Sequence, residues 1–363
     1  FLLFFFFFFW GGYKVLVSPL NDIVELDGFE IPKIQELITL LHGKKYFTSI
    51  DLKDGFFQIP IRECDKEKTA FYTGKRLMQF KKMPQGYKNS PAIFQRAMQL
   101  IFQDLLETVC VIYIDDILVF GTNLEEHDRN LRKVLSRLNE YNLEENTEKR
   151  VERAESIKFL GYEISYNSVK PSLDRAQGIM DYKSPESRKE LKRFIGMINY
   201  DRHFVKGLSD LLAPLYKLQS EEKKFIWTEI EEEIFNKVKK KWKEKLELFI
   251  PDMDGEFTLE TDASDTGLGA CLRQKDRPVA YLSRTLSGAE KNYGITEREV
   301  LAALWAMEKL QYHLVGKKFL LITDHKTIEF IKTKKNLDLL VFKDGSIALK
   351  NLTLMYNIVK GRK

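Results

Sequence analysis

The chain has 363 residues, 44% of them hydrophobic, enough to build more than one core-bearing domain. Lys and Arg number 58 against 53 Asp and Glu, a formal charge of +5 that permits a polyanionic partner without requiring one. The 3 cysteines (Cys64, Cys110 and Cys271) are far apart and lack CxxC spacing, which argues against a disulfide framework or a zinc site.

The first ten residues, "FLLFFFFFFW", are apolar but span only half of the roughly 20 residues a membrane helix needs. They read as a low-complexity segment outside the fold, and no membrane partner is expected. "YFTSIDLKDGFFQIPI" reads as a strand, a turn at LKDG and a second extended run. "NSPAIFQRAMQLIFQDLL" reads as a helix, with Ser90 as N-cap and Pro91 at the first helical position. "VCVIYIDDILVF" is ten apolar residues around the adjacent Asp115 and Asp116. It predicts a hairpin with strands over Val109–Ile114 and Ile117–Phe120. Asn123-x-x-Glu126 then caps a helix carrying Leu131, Leu135 and Leu138 on one face. "KFLGYEIS" is a short strand pair. The charge-rich stretch from Ser184 to about Lys245 is helical, with Ser187-x-x-Glu190 as a capping box. Pro251 and Gly255 mark a linker, and a second α/β pattern follows.

Two neighbouring like charges inside an apolar hairpin repel, and a polar turn needs only one Asp. A divalent cation would remove the penalty, since hard cations take carboxylate oxygens. Asp51 closes another apolar strand and could supply a third carboxylate to a two-metal site. In the second pattern, Asp262 sits mid-strand and, if inward, is costly unless paired or metal-bound. Asp324 closes the strand "FLLIT" and could cap the helix after it. Thr296-x-x-Glu299 fits a capping box, which gives Glu299 a structural task.

"FTSIDLKDGFFQIPI", "TAFYT", "MPQGYKNSPAIFQRAM", "YIDDILVF" and "KFLGYEI" follow one another in an order that resembles the successive motifs of a reverse transcriptase. "LKRFIGMINYDRHFVKGLSDLLAPL" resembles the segment that follows in gypsy-type LTR retrotransposons. "LETDASDTGLGA", "RPVAYLSRTL", "TEREVLAALWAM" and "LLITDHKTIEFI" resemble their ribonuclease H. The likeness covers Leu20 to Leu337. It implies an α+β fold: a right-hand polymerase palm and thumb with partial fingers, then a ribonuclease H-like α/β domain. The division it implies is 1–10 low complexity, 11–165 partial fingers and palm, 166–250 helical thumb or connecting region, and 251–363 a C-terminally incomplete ribonuclease H-like domain.

The resemblance implies that Asp51 and Asp115 hold two Mg²⁺ ions, or Mn²⁺, with the Leu52 carbonyl assisting and Asp116 in support. Phe56 matches the aromatic that excludes a ribose 2′-OH, though it also reads as core beside Phe57. Gln85 and Gly86 match the nucleotide-contacting segment, and also a plain loop. Lys149 matches the lysine that protonates pyrophosphate, and also a solvated charge in "ENTEKRVER". Leu160 and Gly161 match the primer grip, or a buried Leu and a turn Gly. Asp262, Glu299 and Asp324 match ribonuclease H carboxylates with paired Mg²⁺. The implied partners are an RNA or DNA template with primer, dNTPs and an RNA–DNA hybrid. The implied compartment is the cytoplasm, an element-derived particle or the nucleus.

The sequence departs from the pattern upstream of Asp51. There "GGYKVLVSPLN" keeps only Leu20 and Asn21 of a DYRxLN-like run. Lys14 and Lys68 are the cations left to grip a triphosphate. At the other end "DLLVFKDGSIALKNLTL" does not match, and the fourth ribonuclease H carboxylate is missing. Both ends therefore read as incomplete. The resulting reading is an RNA-directed DNA polymerase with a partial ribonuclease H. The alternative is a catalytically impaired nucleic-acid-binding remnant.

Overall fold

The computed structural model describes residues 6–9, 12–15, 18–72, 75–220, 224–244, 246–323 and 358–360. The chain divides into two compact units, Phe1–Leu160 and Gly161–Lys363.

The first unit is built on a four-stranded antiparallel sheet in the spatial order Cys110–Tyr113, Asp116–Gly121, Tyr46–Asp51, Val151–Ala154. Ile117, Leu118, Val119 and Phe120 are all buried, which explains why this strand reads as a continuous apolar run rather than an alternating one. The helices Ser90–Ile101 and Leu124–Glu140 supply Phe94, Met98, Leu131, Val134 and Leu138 to a core shared with Ile50, Ile112, Ile117 and Val119. Each fully buried Phe or Leu here contributes about 1.5–3 kcal/mol.

Three local expectations need correction. "GFFQ" is not extended: Gly55–Gln58 forms a 3₁₀ turn after Asp54, whose φ is 49°. Ser90 is not the N-cap; the helix starts at Ser90, with Asn89 before it and Pro91 one position further in. The Ser90 hydroxyl donates instead to the Pro84 carbonyl (3.0 Å). The hairpin strands are shorter on one side, so Asp115 lies in the turn while Asp116 already belongs to the returning strand. Asn123 does cap its helix, accepting from the Glu126 N–H at 2.9 Å.

The second unit opens with the strands Tyr162–Ser165, Ser168–Pro171 and Leu248–Phe249, paired antiparallel in that order. Between the last two run the helices Leu173–Met180, Arg188–Tyr200, Leu208–Lys217 and Glu229–Lys243. Ser187 caps the second of them, accepting from the Glu190 N–H at 3.3 Å. A further sheet follows. Phe257–Ala263 pairs antiparallel with Gly267–Gln274 and parallel with Phe319–Thr323, and Arg277–Thr285 extends the edge. The helix Ile295–Lys309 packs Val300, Ala303 and Met307 against Phe257, Leu259 and Leu272. Among the described residues, no helix is long and apolar enough to cross a membrane.

His203 packs 4.5 Å from the Phe204 ring centroid and 6.0 Å from that of Tyr162. Burial, with the Arg175 charge adding to it, pushes its pKa down to about 4. The folded state therefore refuses a proton that the unfolded chain accepts below pH ~6.5. The stability from keeping His203 neutral is complete above that pH and is lost as pH falls towards 4. Relative to His203→Phe, the wild type should lose about 1–2 kcal/mol between pH 6.5 and 4.5, read by denaturant unfolding. Asp201, pushed up to about 6 by burial, titrates in both proteins and cancels in the comparison.

Candidate active site

The hairpin turn holds its two carboxylates in place through the backbone. Ile114 adopts a left-handed φ of 57°, a conformation a β-branched residue adopts only under constraint. The constraint is Gln95, which is 1% exposed on the buried face of the Ser90–Ile101 helix. Its Nε2 donates to the Ile112 carbonyl (3.2 Å) and its Oε1 accepts from the Ile114 N–H (2.6 Å). On the other side, the Leu52 N–H donates to the Asp115 carbonyl (3.2 Å). A Cβ on Gly55 would meet the Asp115 Cβ at 3.1 Å and Phe94 at 3.3 Å, so the 3₁₀ turn lies directly against Asp115.

Asp51 and Asp116 are direct cross-strand partners, so their side chains leave the sheet on the same face. Asp115 stands beside them in the turn. The three charges are coupled. Burial pushes the Asp116 carboxyl up to about 6, with Asp115 and then Asp51 adding to the rise. Burial raises Asp115 too, and Asp51 raises it further. The Lys149 ammonium donates to Asp51 Oδ2 at 2.9 Å. It is carried there by a loop whose Asn146 N–H donates to the Asp51 carbonyl (2.7 Å). That bond raises the Lys149 pKa. Lys149 is thus exposed, as the bland reading had it, and yet engaged with the site.

Phe56 follows Gly55 and is half-buried, its ring edge-on to Phe94 at 5.6 Å. It packs against the core, one residue on from the Gly55 that lies against Asp115. Gln85 and Gly86 lie in an exposed loop held by Asn21. Asn21 Nδ2 donates to the Gly86 carbonyl (2.8 Å), and its Oδ1 accepts from the Lys88 N–H (2.8 Å). No hydrogen bond among the described residues ties that loop to the carboxylates. Leu160 (φ 51°) and Gly161 (φ 80°) form a left-handed turn between two strands. Lys68 is engaged by Asp65 at 2.6 Å, and the Lys14 side chain lies outside the described residues.

The ribonuclease H-like carboxylates are arranged differently from expectation. Asp262 is not inward. Phe257, Leu259 and Thr261 take the core face of their strand, so alternation puts Asp262 outward and exposed. It lines a cavity of about 190 Å³ with Lys206, Asp210, Glu260 and Ser283. Glu299 is the buried one, at 3% exposure. Its Oε1 accepts from the Ala263 N–H (3.2 Å), next in the chain to Asp262. The capping box expected of Thr296 and Glu299 is absent. Glu297 reaches back instead, accepting from the Gly294 N–H at 2.8 Å. Asp324 lies outside the described residues.

Gln95, Gly55 and Asn21 were not assigned roles from sequence. Gln95 had a signal: it shares the apolar stripe of Phe94 and Met98, where a polar residue needs a partner. Gly55 in "LKDGFF" read simply as a turn residue.

Among the described residues, no three His, Cys, Asp or Glu side chains form a ready-made metal cage. The donors still fit a hard divalent ion, which Mg²⁺ sites of this kind bind through one or two carboxylates plus substrate phosphates. Asp115 and Asp116 carry a charge penalty that such an ion relieves. The Leu52 N–H faces Asp115.

Residues 13–164 match the family described as reverse transcriptase (RNA-dependent DNA polymerase). Residues 252–345 match the RNase H-like domain found in reverse transcriptase. The chain is 34% identical over 326 residues to the retrovirus-related Pol polyprotein from transposon 297 of Drosophila melanogaster, covering 89% of this chain and 31% of that protein. It is 36% identical over 342 residues to the corresponding polyprotein from transposon opus of the same organism, covering 89% and 34%. The chain belongs to the reverse transcriptases of retrotransposon Pol polyproteins. It spans about a third of the length of these curated relatives. The foamy viral protease-reverse transcriptase in complex with an RNA/DNA hybrid shares this reverse transcriptase's fold, with a TM-score of 0.83 and 22% identity over 97% of this chain and 49% of that one. A second structure of that protein, in complex with double-stranded DNA, gives a TM-score of 0.85 at 22% identity over 97% and 64%. Reverse transcriptase and RNase H-like families depend on divalent metal, which agrees with the carboxylate set found at the hairpin.

In this reverse transcriptase, Gln95→Leu should leave the Ile114 N–H and Ile112 carbonyl buried without partners. That should cost about 2–4 kcal/mol in urea unfolding. Gln95→Glu sets a carboxylate against the Ile112 carbonyl at the same buried position and should cost at least as much.

Proposed function

We propose that the chain adds deoxynucleotides to a primer 3′-OH under the direction of an RNA or DNA template, releasing pyrophosphate. The observation that carries this is the register pairing of Asp51 with Asp116 beside Asp115 at one rigid turn. Asp51, Asp115 and the Leu52 carbonyl would hold Mg²⁺, or Mn²⁺ in its place. When bound, paired ions lower the charge barrier between the attacking 3′-oxygen and the leaving pyrophosphate oxygen. Asp116 supports the pair from the adjacent strand position. Lys149 holds a proton at Nζ. Its bond to Asp51 raises its pKa and keeps that proton on Nζ, from where it would pass to the pyrophosphate. Phe56, next in the chain to Gly55, would stand against a ribose 2′-OH. Gln85 and Gly86 would contact the nucleotide, and Leu160 and Gly161 the primer.

Asp262, Glu299 and Asp324 would form the centre that cuts the RNA strand of an RNA–DNA hybrid. The coupled carboxylates at the hairpin favour turnover over a binding-only remnant. The cytoplasm, or a particle or nucleus reached from it, is where such an enzyme would act.

Primer extension with Mg²⁺ tests the proposal. Asp115→Asn should lower the rate by about 100–1,000-fold while leaving duplex binding intact. Chelation of the metal should have the same effect, reversed by adding Mg²⁺ back. Wild-type rates in Asp115→Asn would refute it. Phe56→Ala should raise the ribo-to-deoxyribonucleotide ratio of kcat/KM by about tenfold or more. An unchanged ratio would reduce Phe56 to core packing.

A further inference from the structure

The Leu160–Gly161 turn carries strain. Two successive left-handed residues cost Leu160 about 1–2 kcal/mol, which persists only where the surroundings enforce it. Two contacts within the second unit act on Gly161. The Ser172 N–H donates to its carbonyl at 3.0 Å. The Arg175 guanidinium fills the space a side chain would take: a Cβ on Gly161 would lie 2.0 Å from Nη2 and 2.6 Å from Cζ.

Arg175 is itself fixed. Its Nη1 donates to Asp201 Oδ1 at 3.1 Å, and Asp201 is 0% exposed. Its guanidinium lies over the Tyr200 ring at 4.1 Å and the Tyr162 ring at 5.1 Å. A buried carboxylate needs this partner, and a flat guanidinium suits both the rings and the carboxylate in a way an ammonium does not. The pair links the turn to the Leu173–Met180 helix, which carries Arg175, and to the end of the Arg188–Tyr200 helix, where Asp201 sits.

We propose that Arg175 is a positioning residue for the primer 3′ end, acting through the Leu160–Gly161 turn, with Asp201 holding its guanidinium in place. The inference rests on assigning that turn to the primer strand. Arg175 need not touch nucleic acid. It closes the underside of the turn, so its loss leaves a duplex bound but its terminus free to wander. A shift of the reacting terminus by ~1 Å costs on the order of 100-fold in rate.

The test uses the full chain and a primer–template duplex with 2-aminopurine at the primer 3′ terminus. Anisotropy reads affinity, fluorescence reads the terminus, and extension reads kcat and KM. Arg175→Leu should keep duplex affinity within about threefold, change the terminal fluorescence, and lower kcat by about tenfold or more at unchanged dNTP KM. Arg175→Lys should recover only part of the loss. Gly161→Ala, which displaces the guanidinium, should resemble Arg175→Leu, and the double variant should be no worse than either single one. Thermal unfolding of each variant gives the folded fraction. Wild-type fluorescence and kcat in Arg175→Leu would overturn the inference. So would losses that track the unfolded fraction and additive effects in the double variant. A wild type that binds the duplex without extending it would sink the polymerase reading, while the fluorescence still judges Arg175. A wild type that neither binds nor extends would overturn both.

Discussion

Everything at the hairpin site depends on keeping like charges together on an apolar turn. Asp115 and Asp116 follow each other, Asp51 faces Asp116 across the sheet, and burial makes the Asp115 and Asp116 charges harder to hold. Left to itself such a turn would splay. It is held by bonds that do not involve the carboxylates, Gln95 to Ile112 and Ile114 and Leu52 to the Asp115 carbonyl, while Gly55 leaves no room for a side chain against Asp115. The carboxylate oxygens are thereby left to face a cation. Lys149 supplies one for Asp51.

The hairpin and the helices of the first unit were legible because their signals are local. Ten apolar residues in twelve announce the hairpin, and Asn123 announces its helix. What failed was also local. Asp262 was weighed as an inward carboxylate, but the alternation of Phe257, Leu259 and Thr261 sends it out. Glu299 was given a cap it does not make. A helix start shifted by two residues, to Gly294 and Glu297, frees Glu299 to turn inward towards Ala263. At Ser90 the error was one position, because Asn89, Ser90 and Pro91 all carry start signals.

Other features were beyond the sequence because they join distant segments. Gln95 and Ile114 are nineteen residues apart, and Asn21 and Gly86 sixty-five. The family motif containing Asn21 was visible, but nothing local told which loop it holds. The same applies in the second unit, where Arg175 and Asp201 meet across two helices beneath Gly161. One device thus recurs, a left-handed turn pinned from behind by a buried or half-buried polar side chain. At Ile114 the turn carries adjacent carboxylates; at Leu160 and Gly161, an apolar tip.

The central claim is that Asp51 and Asp115 together bind divalent metal at the turn. Manganese paramagnetic resonance, with primer–template and a non-hydrolysable dNTP present, counts the ions directly. The account predicts two Mn²⁺ per chain at the polymerase centre in a background where Asp262 and Glu299 are replaced by Asn and Gln, and the loss of both on Asp115→Asn. Equal Mn²⁺ binding before and after that substitution would contradict it.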